Sequence, residues 1–127
     1  NGNFSRSGVM DLVKEVVIFN DDTIEKIASE ANLAANSAQS TFLAEHGEQA
    51  YCGFAWVDVS VERTNSREAK ALEKMGFKKS WEPKTMQLWS PGNYHGQSMD
   101  VKEEGARAYA QVLTNYGFKA YSMSRAD

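Results

Sequence analysis

The chain contains one cysteine, Cys52, in 127 residues. It cannot close an internal disulfide, and Cys-ligated structural zinc needs at least two such ligands. This cysteine usage leads us to expect an intracellular, cytoplasmic setting. No apolar run approaches the roughly 20 residues of a membrane span, and no charged-then-apolar leader opens the sequence. Basic residues are in the minority, 14 against 17 acidic, for a net charge of −3 and a pI near 5.4. A chain so balanced offers no general basic field, so neither nucleic acid nor a membrane surface is an expected partner. What remains is ordinary globular composition: 42% hydrophobic and 24% charged residues, in a length that suits one domain around one core.

Residues 1–9, rich in Asn, Gly and Ser, read as a flexible tail with Met10 as a natural start. The run Val16-Val17-Ile18-Phe19 fits either a helical turn or a short strand. A single α+β domain is then expected over 10–127. Asp22 and Glu25 have capping-box spacing, and Ile24, Ile27, Ala28, Ala31, Ala34, Ala38 and Phe42 recur at helical spacing up to Gly47. This predicts a long helix over 23–46. Its alanine stripe suits close packing on a sheet or on another helix.

The segment Tyr51 to Val61 is aromatic and β-branched, with apolar residues on both faces for most of its length. It reads as a central strand covered on both sides. Ser66 opens a short helix that Gly76 closes. Two strand-like runs, 77–81 and 85–89, flank Pro83 as a hairpin. Asp100 and Glu103 form a second capping box for a helix ending at Gly117, and 118–124 forms the last strand. Five methionines and the aromatic residues fall mostly at expected core positions and read as packing. Asp58, Glu62 and Arg63 read as a solvated turn rather than paired catalytic carboxylates.

The order strand, helix, strand, strand, helix, strand predicts a ferredoxin-like split βαβ sandwich: βαββαβ, a four-stranded antiparallel sheet with two helices on one face, preceded by the long helix. Gly53 and Ala55 would let helices approach one face. Phe54 and Trp56 would then point to the other, a natural interface that needs a cover. The expected cover is the chain's own helix 23–46, ahead of a second copy, with stacked nucleic-acid bases last.

The same topology gathers the start of the first strand, the loop 94–97, the last helix's start and the chain's last residues at one edge. Candidate ligand-binding residues there are Tyr94, His95, Gln97, Asp100, Arg125 and Asp127, with His46 and Cys52 nearby. A helix N-terminus with Arg125 could hold an anion, but Asp100 at the cap would repel one. His46, His95, Cys52 and Asp127 have no recognisable metal spacing, so no metal is expected. A Cys52 nucleophile with His95 as base is possible in type, but an apolar strand makes Cys52 inert packing. The plainest reading has Asp100 capping its helix while Arg125 and Asp127 pair locally.

The stretch Asn65-Ser66-Arg67-Glu68-Ala69-Lys70-Ala71-Leu72-Glu73-Lys74-Met75-Gly76-Phe77 resembles the C-terminal motif of GNAT acetyltransferases. The chain lacks that family's Arg/Gln-x-x-Gly-x-Gly/Ala loop for the cofactor pyrophosphate, so no cofactor is expected. More broadly, Cys52-Gly53-Phe54-Ala55-Trp56-Val57, the run Gly96-Gln97-Ser98-Met99-Asp100-Val101-Lys102-Glu103-Glu104-Gly105-Ala106-Arg107-Ala108-Tyr109, and Ser124-Arg125-Ala126-Asp127 resemble small uncharacterised proteins of tailed bacteriophages. That resemblance implies the cytoplasm of an infected bacterium and no particular reaction. These features suggest a small accessory protein that binds a host protein or a small ligand as a homodimer. The alternative is a nucleotide- or small-molecule-binding enzyme, in the manner of a degenerate acetyltransferase, using the edge around Tyr94, His95 and Arg125.

Overall fold

The computed structural model describes residues 20–92 and 94–126. The tail 1–9, the run 16–19 and Asp127 lie outside the described residues. Helix α1 spans Asp21–His46. Asn20, not Asp22, is its N-cap: the Asn20 Oδ1 accepts from the Asp22 N–H at 2.9 Å and the Thr23 N–H at 3.4 Å. Asp21 and Asp22 therefore fall in the first turn, where negative charge suits the helix dipole. The helix stops at Gly47, whose φ of 69° is left-handed and whose N–H returns to the Leu43 carbonyl at 2.8 Å.

Strand β1 (Gly53–Ser60), helix α2 (Arg67–Lys74), strands β2 (Lys78–Lys79) and β3 (Thr85–Trp89), helix α3 (Met99–Asn115) and strand β4 (Lys119–Ala126) follow. The sheet order is β2-β3-β1-β4, every pair antiparallel. β1 is central, as its two apolar faces predict. Ser66 caps α2 as expected, its hydroxyl accepting from the Ala69 N–H at 3.2 Å. The hairpin is also present, but β2 is only two residues long. Phe77 turns into the core at 2% exposure, and Ser80 to Lys84 form the turn, with Lys84 at a positive φ of 55°.

Along β1 the residues Gly53, Ala55, Val57 and Val59 are buried, alternating with half-buried Phe54, Trp56 and Asp58. The buried set, with Met86 of β3, joins Ala69 and Leu72 of α2 and Ala106, Tyr109 and Leu113 of α3 in one core. A Cβ on Gly53 would fall 2.7 Å from the Arg125 carbonyl and 2.6 Å from the Met99 sulfur. Helix and neighbouring strand can close on β1 here only because no side chain intervenes.

Helix α1 buries Ile24, Ile27, Ala31, Ala35 and Gln39, a narrow stripe at helical spacing. Each fully buried isoleucine contributes about 1.5–3 kcal/mol through the area it removes from water. The stripe belongs to the core on the helical side of the sheet, where α1 runs along α3. This overturns the expectation that the helix covers Phe54 and Trp56. Its alanines suit the small surface of α3 at Gly105 and Ala106, and its one buried polar side chain finds a partner in the loop before α3. Gln39 Nε2 donates to the Pro91 carbonyl at 3.1 Å, in a space that Gly92 and Gly105 leave open. The outer face of the sheet is left without a cover from the described part of the chain.

Candidate functional site

The edge foreseen from topology does form. Cys52 pairs with Ser98 in an isolated bridge, the Gly53 N–H donates to the Gln97 carbonyl at 3.3 Å, and the Met99 N–H donates to the Tyr51 carbonyl at 2.9 Å. Tyr94 ties it together, since its hydroxyl donates to the Glu48 carboxylate and accepts from the Ser98 N–H at 3.0 Å. Burial, followed by the hydrogen bond that it donates to the Glu48 carboxylate, raises the Tyr94 hydroxyl above its ordinary pKa. That hydroxyl is thus a strut between the end of α1 and the start of α3.

Several candidates stand elsewhere than the sequence suggests. Ser98 caps α3, its hydroxyl accepting from the Val101 N–H at 3.4 Å, so Asp100 sits in the first turn. The bridge to Cys52 and the Tyr94 hydroxyl fix the chain at Ser98, which starts the helix there. Cys52 is exposed and precedes β1, so it is not core packing, and its thiol is turned to the Ala50 carbonyl at 3.6 Å. His95 and Gln97 are exposed. His46 lies against its own helix, 4.8 Å from the Phe42 ring and 3.8 Å from Glu45. Among the described residues no three His, Cys, Asp or Glu side chains converge as a metal site.

Arg125 is the main correction. β4 runs on to Ala126 and pairs Arg125 with Phe54. Residues directly opposite share a face, so Arg125 belongs to the outer face with Phe54 and leaves the Tyr94 edge. Its guanidinium carbon lies 5.9 Å from the Phe54 ring centroid. Lys102 Nζ, reaching from α3, lies 5.2 Å from the same ring centroid and donates to the Gly53 carbonyl at 2.9 Å.

The register assembles the rest of that face. Trp56 is opposite Trp89 on β3 and Met123 on β4, and Asp58 is opposite Gln87 and Tyr121. Trp56 and Trp89 stack with centroids 4.5 Å apart, and Phe54 meets Trp89 edge-on at 6.2 Å. Gln87 Oε1 accepts from Trp89 Nε1 at 2.7 Å, which holds that indole in place. Trp89 is 45% exposed, Tyr121 57% and Met123 42%, so these residues are not the core packing that composition suggested.

Asp58 is no turn residue either: it lies within β1, half-buried on this face. Its Oδ1 is buried without a hydrogen-bond partner. Burial pushes its carboxyl above the usual carboxylate range; a hydrogen bond from the Trp56 side chain opposes the shift and the Glu82 charge adds to it. Alternation along β1 put Phe54, Trp56 and Asp58 on one face, but the strand pairings that bring in Trp89, Tyr121, Met123 and Arg125 were missed. The signal for them was the parity of the hairpin and of the return strand. No family model, curated protein or solved structure matches the chain.

Proposed function

We propose that the chain is a small, non-catalytic binding protein whose working surface is the outer face of its sheet, and that a second copy of the chain covers that face. One observation carries this reading: the Trp56–Trp89 stack, with Phe54, Tyr121 and Met123 around it, has no cover from α1. Contiguous apolar patches of this kind mark interaction sites, and central aromatic anchors ringed by polar groups dominate interface energetics. Element order and strand order support a ferredoxin-like sandwich with α1 added on its helical side. Such a sandwich leaves one sheet face for a partner. The motif resemblance supports a phage accessory setting in a bacterial cytoplasm, with a host protein as a further partner. At the Tyr94 edge, the hydroxyl best placed for chemistry is already engaged by Glu48 and Ser98, which disfavours the enzyme reading.

Size-exclusion chromatography with light scattering tests this. The full chain is expected as a dimer of 14.1 kDa subunits at micromolar concentration. The Trp56→Ser/Trp89→Ser variant is expected as a folded monomer by circular dichroism. A wild-type chain that stays monomeric at every concentration removes the proposal.

A further inference from the structure

The chain is acidic overall, but strand pairing segregates its charge. Residues directly opposite one another share a face of the sheet. Phe54 is opposite Arg125, Asp58 is opposite Tyr121 and Gln87, Gln87 is opposite Lys78, and Ser60 is opposite Lys119. The rows of the outer face therefore carry three cations, Lys78, Lys119 and Arg125, and one carboxylate, Asp58. All three cations are exposed, and none is in an ion pair among the described residues. The β2–β3 turn beside them adds one charge of each sign, Glu82 and Lys84. Arg125 and Lys119 stand about 20 Å apart along β4, and Lys78 lies across the sheet on β2, about 14 Å away. The open rings of the aromatic cluster, Trp89 at 45% and Tyr121 at 57% exposure, lie between them.

This face suits a ligand that is anionic and aromatic at once. A second copy satisfies only the aromatic half: however the two-fold axis runs, two faces of the same sign then meet. Resting on the outer face as the working surface, but not on the second copy, we infer that it binds a single-stranded nucleic acid, which displaces the second copy. The phosphates run over Lys119, Arg125 and Lys78, and the bases stack on Trp89 and Tyr121. Such stacking accepts every base, and cations along the backbone read no sequence, so binding tolerates any sequence. A duplex keeps its bases stacked on one another and presents phosphates, so single strands bind better. Three phosphate contacts give a salt slope of about −2, since each contributes about −0.7 on a single strand.

Fluorescence anisotropy of the full-length chain with labelled oligouridine and oligothymidine of about 12 nucleotides tests this, with tryptophan quenching as a second readout. Raising salt from about 50 to about 200 mM should weaken binding about 20-fold. Lys78→Gln/Lys119→Gln/Arg125→Gln should lower low-salt affinity at least about 10-fold and flatten the slope. Trp89→Ala and Tyr121→Ala should each lower affinity at least about 5-fold with the slope unchanged, whereas Trp81→Ala should change nothing. Should Trp89→Ala unfold by circular dichroism, Tyr121→Ala, at an exposed site, carries the test. Polyphosphate, which has the charge and no rings, and a duplex of the same length should compete at least about 10-fold less well. No binding at low salt, equal competition by polyphosphate, or affinity untouched by the cation or ring variants overturns the inference. Sedimentation velocity separates it from the dimer: strand added to the dimer should yield one chain per strand. A strand carried by an intact dimer lies off this face and overturns the inference. A wild type that binds strand but stays monomeric without it removes the second copy alone, and a dimer that binds no strand removes the strand alone.

Discussion

Gly105→Ala tests why α1 lies along α3 and leaves the sheet bare. In an exposed helix interior this change stabilises by about 0.8–1 kcal/mol, the difference in helix propensity. Here the new Cβ would collide with the Gln39 carboxamide and lie 2.9 Å from the Pro91 carbonyl. Gln39 is 4% exposed and holds that carbonyl at 3.1 Å. Displacing it strands a buried donor and acceptor, at about 1–3 kcal/mol, with a further cost for moving Pro91. The steric and hydrogen-bond losses outweigh the propensity gain, for a net destabilisation of about 1–2 kcal/mol. For a domain of this size that lowers the melting temperature by about 4–8 °C. Urea denaturation at fixed protein concentration measures it. In a Gln39→Ala background, where the amide is already gone, most of the penalty should vanish. A Gly105→Ala chain that gains about 1 kcal/mol, as an exposed helix would, refutes the clamp between α1 and α3.

Tyr109 is fully buried and its hydroxyl has no partner among the described residues; burial pushes its pKa up to about 12. Tyr109→Phe should therefore stabilise by about 1 kcal/mol in the same denaturation assay, and a comparable loss would reveal a missed partner. Asp58 ionises less readily in the folded chain than in the unfolded one, so the native state binds its proton more tightly. Its contribution favours folding at acid pH and is lost as pH rises from the ordinary carboxyl value of 3.8 through the raised one. Asp58→Asn should flatten that segment of the stability profile, measured by urea denaturation at one fixed protein concentration; an unchanged profile assigns the slope to another group. Trp81, 89% exposed in the β2–β3 turn, is a control. Its change to alanine should move stability and association by no more than about 0.5 kcal/mol, and a larger loss of association would extend the working surface to that turn.

The order of elements and the central place of β1 were legible because each depends on local signals: a two-residue alternation, a glycine after each helix, a proline in the hairpin. The Tyr94 edge followed from topology for the same reason. What escaped was non-local. The α1 stripe of isoleucine and alanine suits a sheet or a helix equally, and Gly105, sixty-six residues beyond Gln39, decides between them. A last strand over 118–124 leaves Arg125 beside Tyr94. Two further residues of pairing move it to the face of Phe54, since alternation assigns a side chain by the strand's true length. Ser98 and Asn20 took the caps from Asp100 and Asp22 because several Asn, Ser and Asp residues stand at each helix start, and the partners that choose among them are distant in sequence.

The central claim is that the sheet's aromatic face is open in the single chain because α1 lies on the opposite side. Nitroxides placed by Leu33→Cys, on the exposed side of α1, and Tyr121→Cys, on the outer face, measure it directly in a Cys52→Ser background diluted with unlabelled chain. A helix about 10 Å across and the sheet itself separate the two labels, so electron double resonance should give a main distance above about 20 Å. A main distance below about 15 Å would put α1 over Trp56 and Trp89, the arrangement that this account excludes.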